Sequence, residues 1–303
     1  MAKTIVEKDI PRIKELLINV IGDNNILQIS RGGGLTNHTY FVELKSGKYV
    51  VRIPGEGTEE LISRHDEEIS TRLACNLGID AKLLHFGEDG SKVTEYIQDA
   101  VTMSSDSMKK TENIVEVANI FKKLHSCGID TGVSFEVFDM AKGYETIIGK
   151  YNVSMPDDYA EIKGHVMKIK EEIDTTCHVK KVPCHNDSLC ENWVRGKEKM
   201  YLIDWEYSGM NDALWDLADT SIEADYSNEN DRFLLLNYFG KEPDSRTWKH
   251  FLANKIYVDY LWTLWAKTRV PFDGQPMEDW ASERYSRLKN KVKTYIMFEG
   301  GNV

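Results

Sequence analysis

Near residue 100 the repeat of apolar side chains changes from two residues to between three and four. On the early side, Ile26-Leu27-Gln28-Ile29, Thr39-Tyr40-Phe41-Val42-Glu43-Leu44 and Tyr49-Val50-Val51-Arg52-Ile53 read as three strands, with Ser46-Gly47 turning the second into the third. A helix over residues 8–21 precedes them, with Ile10, Ile13, Leu16 and Leu17 on one face and Gly22 as its stop. A polar helix is expected over residues 59–77, ending before Gly78. Two short strands follow around 81–86 and 92–97, turned by Glu88-Asp89-Gly90. Beyond residue 104, Ile114, Val117, Ile120, Phe121 and Leu124 form one helical stripe, and Tyr159, Ile162, Val166, Ile169 and Ile173 another. The chain therefore predicts an α+β protein: a small sheet-bearing part over 1–98 and a mainly helical part over 99–303.

One stretch breaks the helical half. Asn192-Trp193-Val194-Arg195, Gly196-Lys197-Glu198-Lys199 and Met200-Tyr201-Leu202-Ile203-Asp204 read as a hairpin with helices on both sides. Just before it stands His185-Asn186-Asp187-Ser188-Leu189-Cys190-Glu191-Asn192, an H-x-D-x-x-x-x-N string. Phosphoryl transfer to a hydroxyl needs an aspartate to accept or orient the proton of the attacking alcohol, and an amide oxygen a few residues on can hold magnesium. Asp187 and Asn192 fit those roles. Counting inward from Asn192 and Asp204, the two meet at Glu198, which sets them roughly opposite each other at the open end of the hairpin. Asp204 then becomes a second oxygen ligand for Mg2+. Turn and cap duty explains most Asp and Asn residues; the full string followed by a strand ending in Asp is more specific than that.

The early half offers a matching nucleotide site. Gly32-Gly33-Gly34-Leu35-Thr36-Asn37 lies between two strands, where glycine lets backbone N–H groups approach phosphates. It is neither a Walker loop nor a dinucleotide fingerprint opening a helix. Arg52 stands on the third strand, where protein kinases use a lysine paired with a glutamate of the next helix. Glu67 or Glu68 can partner it, and the spacing to Gly78 favours Glu67.

Composition narrows the alternatives. A net charge of −11 over 303 residues argues against a nucleic-acid partner, because a phosphate backbone needs a basic face. Five cysteines without a CxxC pair are no disulfide framework, and they point to a reducing, cytoplasmic setting. The cluster of Cys177-His178, Cys184-His185 and Cys190 lacks zinc-site spacing. The charged start MAKTIVEKDI is no signal peptide, and no run of about eighteen apolar residues predicts a membrane span.

From Gly32 to Trp265, and most strongly from His185 to Asp216 (HNDSLCEN, LIDWEYSGMND, LWDLA), the chain resembles the choline/ethanolamine kinases, of the bacterial choline kinase type. These belong to the protein-kinase-like and aminoglycoside phosphotransferase superfamily. The resemblance implies a two-lobed protein-kinase-like fold that uses ATP and Mg2+. It implies that adenine lies against the connecting segment Glu95-Tyr96-Ile97, and that Gly33, Gly34, Thr36, Asn37, Arg52 and Glu67 serve the nucleotide. It makes Asp187 the catalytic base and Asn192 and Asp204 the metal ligands. The implied reaction moves the γ-phosphate of ATP to choline, with ethanolamine and aminoglycosides as rival acceptors and a catalytically silent binding module as the rival of another class.

A quaternary ammonium has no N–H to donate, so aromatic faces and nearby carboxylates recognise it. Trp262 and Trp265 stand three apart on one helix face. Tryptophans so spaced are more often core than cage, but their late place in a chain of this type favours the cage. Glu206 and Tyr207 follow Asp204 directly, and Glu223 and Tyr226 are expected to close the site. Trp193, Trp215, Trp248 and Trp280 receive no role.

Overall fold

The alternation read over residues 26–53 folds as three antiparallel strands, each displaced from its expected span by a few residues. The computed structural model describes residues 4–33, 37–55 and 62–298. Helix α1 (Ile10–Ile21) leads into β1 (Gln28–Arg31), β2 (Asn37–Leu44) and β3 (Gly47–Pro54). Next come α2 (Arg64–Asn76), β4 (Leu83–Phe86), β5 (Lys92–Glu95) and the two-residue β6 (Val101–Thr102). The helical run opens with α3 (Ser105–Met108), α4 (Thr111–His125), α5 (Val137–Lys150) and α6 (Tyr159–Thr176), and leads to β7 (Lys181–Cys184). The hairpin is β8 (Trp193–Arg195) and β9 (Met200–Leu202), followed by β10 (Gly209–Asp212). Helices α7 (Ala213–Glu223), α8 (Asn228–Phe239), α9 (Ser245–Asp273) and α10 (Gln275–Met297) close the described chain.

The chain forms two compact units, and the division is not one cut. The first unit runs to Met103 and includes Glu191–Ser208; the second takes Ser104–Cys190 and the chain from Gly209 onward. The expected border between 98 and 99 thus differs in two ways. It moves past β6, and the hairpin placed in the helical part packs with the first unit instead. The reason is pairing: β6 lies antiparallel to β8, with Val101 opposite Arg195 and Thr102 opposite Val194.

In the first unit a five-stranded antiparallel sheet runs in the order β1-β2-β3-β5-β4. One face of α1 lies on it, burying Ile13, Leu16 and Leu17 against Tyr40, Val42, Val51 and Val93. This is the apolar stripe of α1 meeting the inward positions of period-two strands. Gly22 ends the helix in the left-handed region, at φ 81°, where glycine carries no Cβ penalty. The hairpin forms a separate three-stranded sheet, β6-β8-β9. Its turn holds close to the connecting segment: the Lys197 N–H donates to the Gln98 carbonyl at 2.9 Å. A Cβ on Gly196 would sit 2.7 Å from the Ile97 side chain, so only glycine fits there.

The second unit is built around α9, whose stretch from Phe251 to Thr268 is buried on most sides, with Asn254, Asp259 and Lys267 among the enclosed residues. It packs against α5, α7 and α10. A two-stranded antiparallel sheet, β7 with β10, holds the segment before His185 against the segment entering α7. Among the described residues, no helix is long and apolar enough to cross a membrane.

Candidate active site

In the first unit the feature that organises the polar side chains is Arg52, on the middle strand of the five. Its guanidinium is buried and reaches three oxygens. Nη1 lies 2.5 Å from Glu67 Oε1 and 3.3 Å from Asp204 Oδ1, and Nη2 donates to the Gly90 carbonyl at 2.9 Å. The planar fork of arginine can serve several acceptors at once, which one ammonium point charge does less well. Glu67, not Glu68, is the helix partner; Glu68 pairs at the surface with Arg72. Burial alone would push the Glu67 carboxyl up, but Arg52, Lys92 and Arg64 together hold it down at about 2.

The sign of that shift gives a pH dependence. The folded protein keeps Glu67 ionised well below its ordinary value of 4.5, so the stabilisation is complete above that value. It is lost as pH falls from about 4.5 toward about 2. Melting temperature scanned downward from pH 6 should begin to fall near 4.5, and Glu67→Gln should flatten that part of the curve. An undiminished slope in the variant would assign the acid loss to other carboxylates.

Asn192 and Asp204 both stand at the open end of the hairpin, but the register differs by one from the count. Trp193 pairs with Leu202 and Arg195 with Met200, so Asn192 stands opposite Ile203, whose N–H donates to the Asn192 carbonyl at 2.9 Å. Asp204 lies one residue further and has left the strand, with φ at 67°. Aspartate is among the few non-glycine residues that tolerate that region. Glu206 is buried beside it; it accepts from Asn37 Nδ2 at 2.9 Å and stands 3.6 Å from Arg64 Nη1. Burial and the Asp204 charge push its carboxyl up to about 7.

The glycine turn is only partly visible: Gly34 and Thr36 lie outside the described residues, as does the start of the predicted 59–77 helix. At Gly32 a Cβ would fall 2.9 Å from the exposed Phe41 ring, which would have to shift, whereas Gly33 has open space around it. In the connecting segment, the Glu95 N–H donates to Lys82 and the Tyr96 N–H to Lys48, at 2.9 and 3.2 Å. The Glu95 carboxylate pairs with Lys82. Tyr96 sets its ring edge-to-face with Phe41.

In the second unit the loop carrying Asp187 is fixed by two carboxylates of α7. Asp216 accepts the His185 and Asn186 backbone N–H groups, both at 2.8 Å, and His125 Nε2 at 2.9 Å. Asp219 takes the Ser188 N–H at 2.5 Å and the Ser188 hydroxyl at 2.9 Å. The residues flanking Asp187 are therefore buried and clamped, while Asp187 itself is partly exposed. Asn186 adopts φ 68°, the bend that this clamping sustains. Burial and, secondarily, the Asp187 charge raise the Tyr144 phenol, which places a tyrosine of α5 within the electrostatic reach of Asp187.

The tryptophans of α9 do come together. Trp262 and Trp265 meet edge-to-face with ring centres 6.2 Å apart, and Trp265 meets Trp280 of α10 in the same manner at 6.0 Å. Glu223 is bound in an ion pair with Arg284. The Tyr226 hydroxyl donates to the Met108 carbonyl at 2.9 Å. Those two expected cage residues are thus committed to partners inside the unit. Asp216, Asp219, Tyr144, Trp280 and Arg284 were missed by the sequence reading. For Asp216 and Asp219 a signal existed, three carboxylates at 216, 219 and 223 on one apolar helix.

Comparison with known proteins finds relatives over nearly the whole chain. A choline/ethanolamine kinase family protein from Mesorhizobium loti superposes with a TM-score of 0.83 at 30% identity, over 93% of this chain and 94% of that one. The choline kinase LicA from Streptococcus pneumoniae does so with a TM-score of 0.81 at 29% identity, over 94% and 99%. Protein LicA of Haemophilus influenzae is 28% identical over 260 residues, 83% of this chain and 76% of that protein. The antiparallel sheet with its buried Arg–Glu pair, and the helical unit with its clamped aspartate loop, define an ATP-dependent small-molecule kinase of the protein-kinase-like fold. Residues 28–297 match the model of the Choline/ethanolamine kinase family, and the chain belongs to that family.

Proposed function

We propose that the chain is a choline kinase, forming phosphocholine and ADP from choline and ATP. The observation that carries this reading is the three-ring cluster of Trp262, Trp265 and Trp280, where Glu223 and Asp259 are both paired with the Arg284 that lies over Trp280. Ring faces attract a quaternary ammonium, which asks for no hydrogen-bond acceptor. In this reading Asp187 accepts the proton of the choline hydroxyl as its oxygen attacks the γ-phosphorus, and the bond to the β-phosphate oxygen breaks in line. Arg52, oriented by Glu67, holds the phosphates together with Gly33, Gly34, Thr36 and Asn37. Adenine rests against Glu95, Tyr96 and Ile97; the first two N–H groups are used by the Lys82 and Lys48 carbonyls, so the Ile97 N–H is the donor offered to it. Glu206 and Tyr207 border the acceptor.

Asn192 and Asp204 suit magnesium: both offer oxygen, and the hairpin places them one register step apart. When bound there, the ion neutralises charge on the β- and γ-phosphates. The direct test is a panel of choline, ethanolamine, its methylated intermediates and an aminoglycoside, each with ATP and Mg2+. Choline should give the highest kcat/KM. Trp265→Ala should raise the choline KM about tenfold, the scale of one lost cation–π contact, with the KM for ATP unmoved. Preference for ethanolamine, or an unchanged choline KM, counts against the reading.

A further inference from the structure

The geometry points to Arg284 as a specificity-determining residue that masks the Glu223 carboxylate and so turns the tryptophan cluster toward quaternary rather than primary ammonium groups. Arg284, on α10, is buried to within 2% of full enclosure. Its guanidinium joins Glu223 through Nη2 and Asp259 Oδ1 through Nη1 at 3.2 Å. The carbon of the same group lies 4.3 Å from the centre of the Trp280 ring. One side chain thus links the carboxylate of α7 to the ring system of α9 and α10.

The two anions are not equally dependent on it. Asp259 also has Lys291 Nζ at 2.5 Å and Arg287 at 3.7 Å, so it stays neutralised whatever happens at 284. Arg284 is the cation recorded against Glu223, and it compensates the charge that the carboxylate would otherwise present to an amine. A primary ammonium carries three N–H donors and is strongly hydrated, so a carboxylate whose charge a buried guanidinium already compensates repays its lost hydration less well than an unpaired one. A trimethylammonium head has no such demand and is served by ring faces alone. With Arg284 in place the cluster offers rings and a carboxylate whose charge is already paired, the combination that disfavours the primary amine.

This inference rests on the reading of the cluster as the amine site, and the test separates the two. Choline and ethanolamine kcat/KM would be measured for the wild type, Arg284→Gln, Arg284→Lys and the double variant Arg284→Gln/Glu223→Gln, with the ATP KM and melting temperature as checks of folding. The choline-over-ethanolamine ratio should fall at least about tenfold in Arg284→Gln, the scale set when a polar group gains its partner. It should return toward the wild-type value in the double variant, where the unmasked charge is gone. Arg284→Lys, which keeps a charge but cannot fork between two anions, should fall in between. Should Arg284→Gln fail to melt cooperatively, the Lys variant with and without Glu223→Gln carries the same comparison. A ratio that does not move, or that moves equally with and without the Glu223 charge, overturns the masking role. A wild type that turns over neither amine overturns the choline reading instead, before any variant is made.

Discussion

Asp187→Asn should lower kcat by about a thousandfold, within the range that loss of a positioned general base produces, with melting temperature and ATP KM unchanged. The expectation follows from how the loop is held. Asn186 is anchored through its N–H to Asp216, and Ser188 through its N–H and hydroxyl to Asp219. An isosteric amide at 187 therefore keeps the side-chain shape and the flanking anchors while removing the carboxylate that would accept the proton. Asp216→Asn is the contrasting case, because it loosens His185 and Asn186 together and should cost stability as well as rate. Phosphotransfer measured with choline beside thermal melting separates the two. Activity within tenfold of the wild type for Asp187→Asn would remove it from the role of base.

The second large effect belongs to Arg52→Met. It strands Glu67, whose side chain has no exposed surface, with Arg64 at 2.8 Å and Lys92 at 3.6 Å as its remaining cations. Breaking a buried pair from one side typically costs about 3–5 kcal/mol; two surviving cations place this case near the lower end. The same substitution removes the positive charge proposed to hold the phosphates, so ATP binding should weaken even at temperatures where the variant is folded. Arg52→Lys keeps the charge but not the fork, and should recover stability more fully than nucleotide affinity. Calorimetric melting with an ATP titration reads both. A variant that melts like the wild type would mean the pair is energetically idle.

Much of this was legible in the chain itself, and the exceptions have physical causes. Strands β2 and β3 and the α1 stripe announce themselves because one face is buried and the other is not, so periodicity records burial. The choice of Glu67 over Glu68 follows from the helical phase, which turns adjacent residues about 100° apart. The hairpin was readable, but its register was missed by one, because the count centred the turn on Glu198 whereas Arg195 pairs with Met200 and residues 196–199 make the turn. Strands β6, β7 and β10 left little trace in the local pattern, and Pro183 stands inside one of them. Their existence depends on partners remote in sequence. Arg284 was invisible for a different reason. A lone arginine on a polar helix reads as surface, and only tertiary structure shows it enclosed between two carboxylates and an indole. Glu223 and Tyr226 were expected near the amine, and sequence spacing could not disclose that each already has a partner.

The return of Glu191–Ser208 to the first unit has a consequence for how the protein is made. A ribosome delivers Val101 and Thr102 long before Val194 and Arg195, so β6 must wait through the emergence of residues 104–190 for the strand that pairs with it. During that interval the nascent chain carries an open strand edge and an incomplete set of Arg52 contacts, since Asp204 has not yet appeared. Pairings of this kind, distant along the chain, form slowly and leave exposed edges prone to association. Translation halted before Ser208 would therefore release not a small folded lobe but an unfinished one, its connecting segment still waiting for the hairpin.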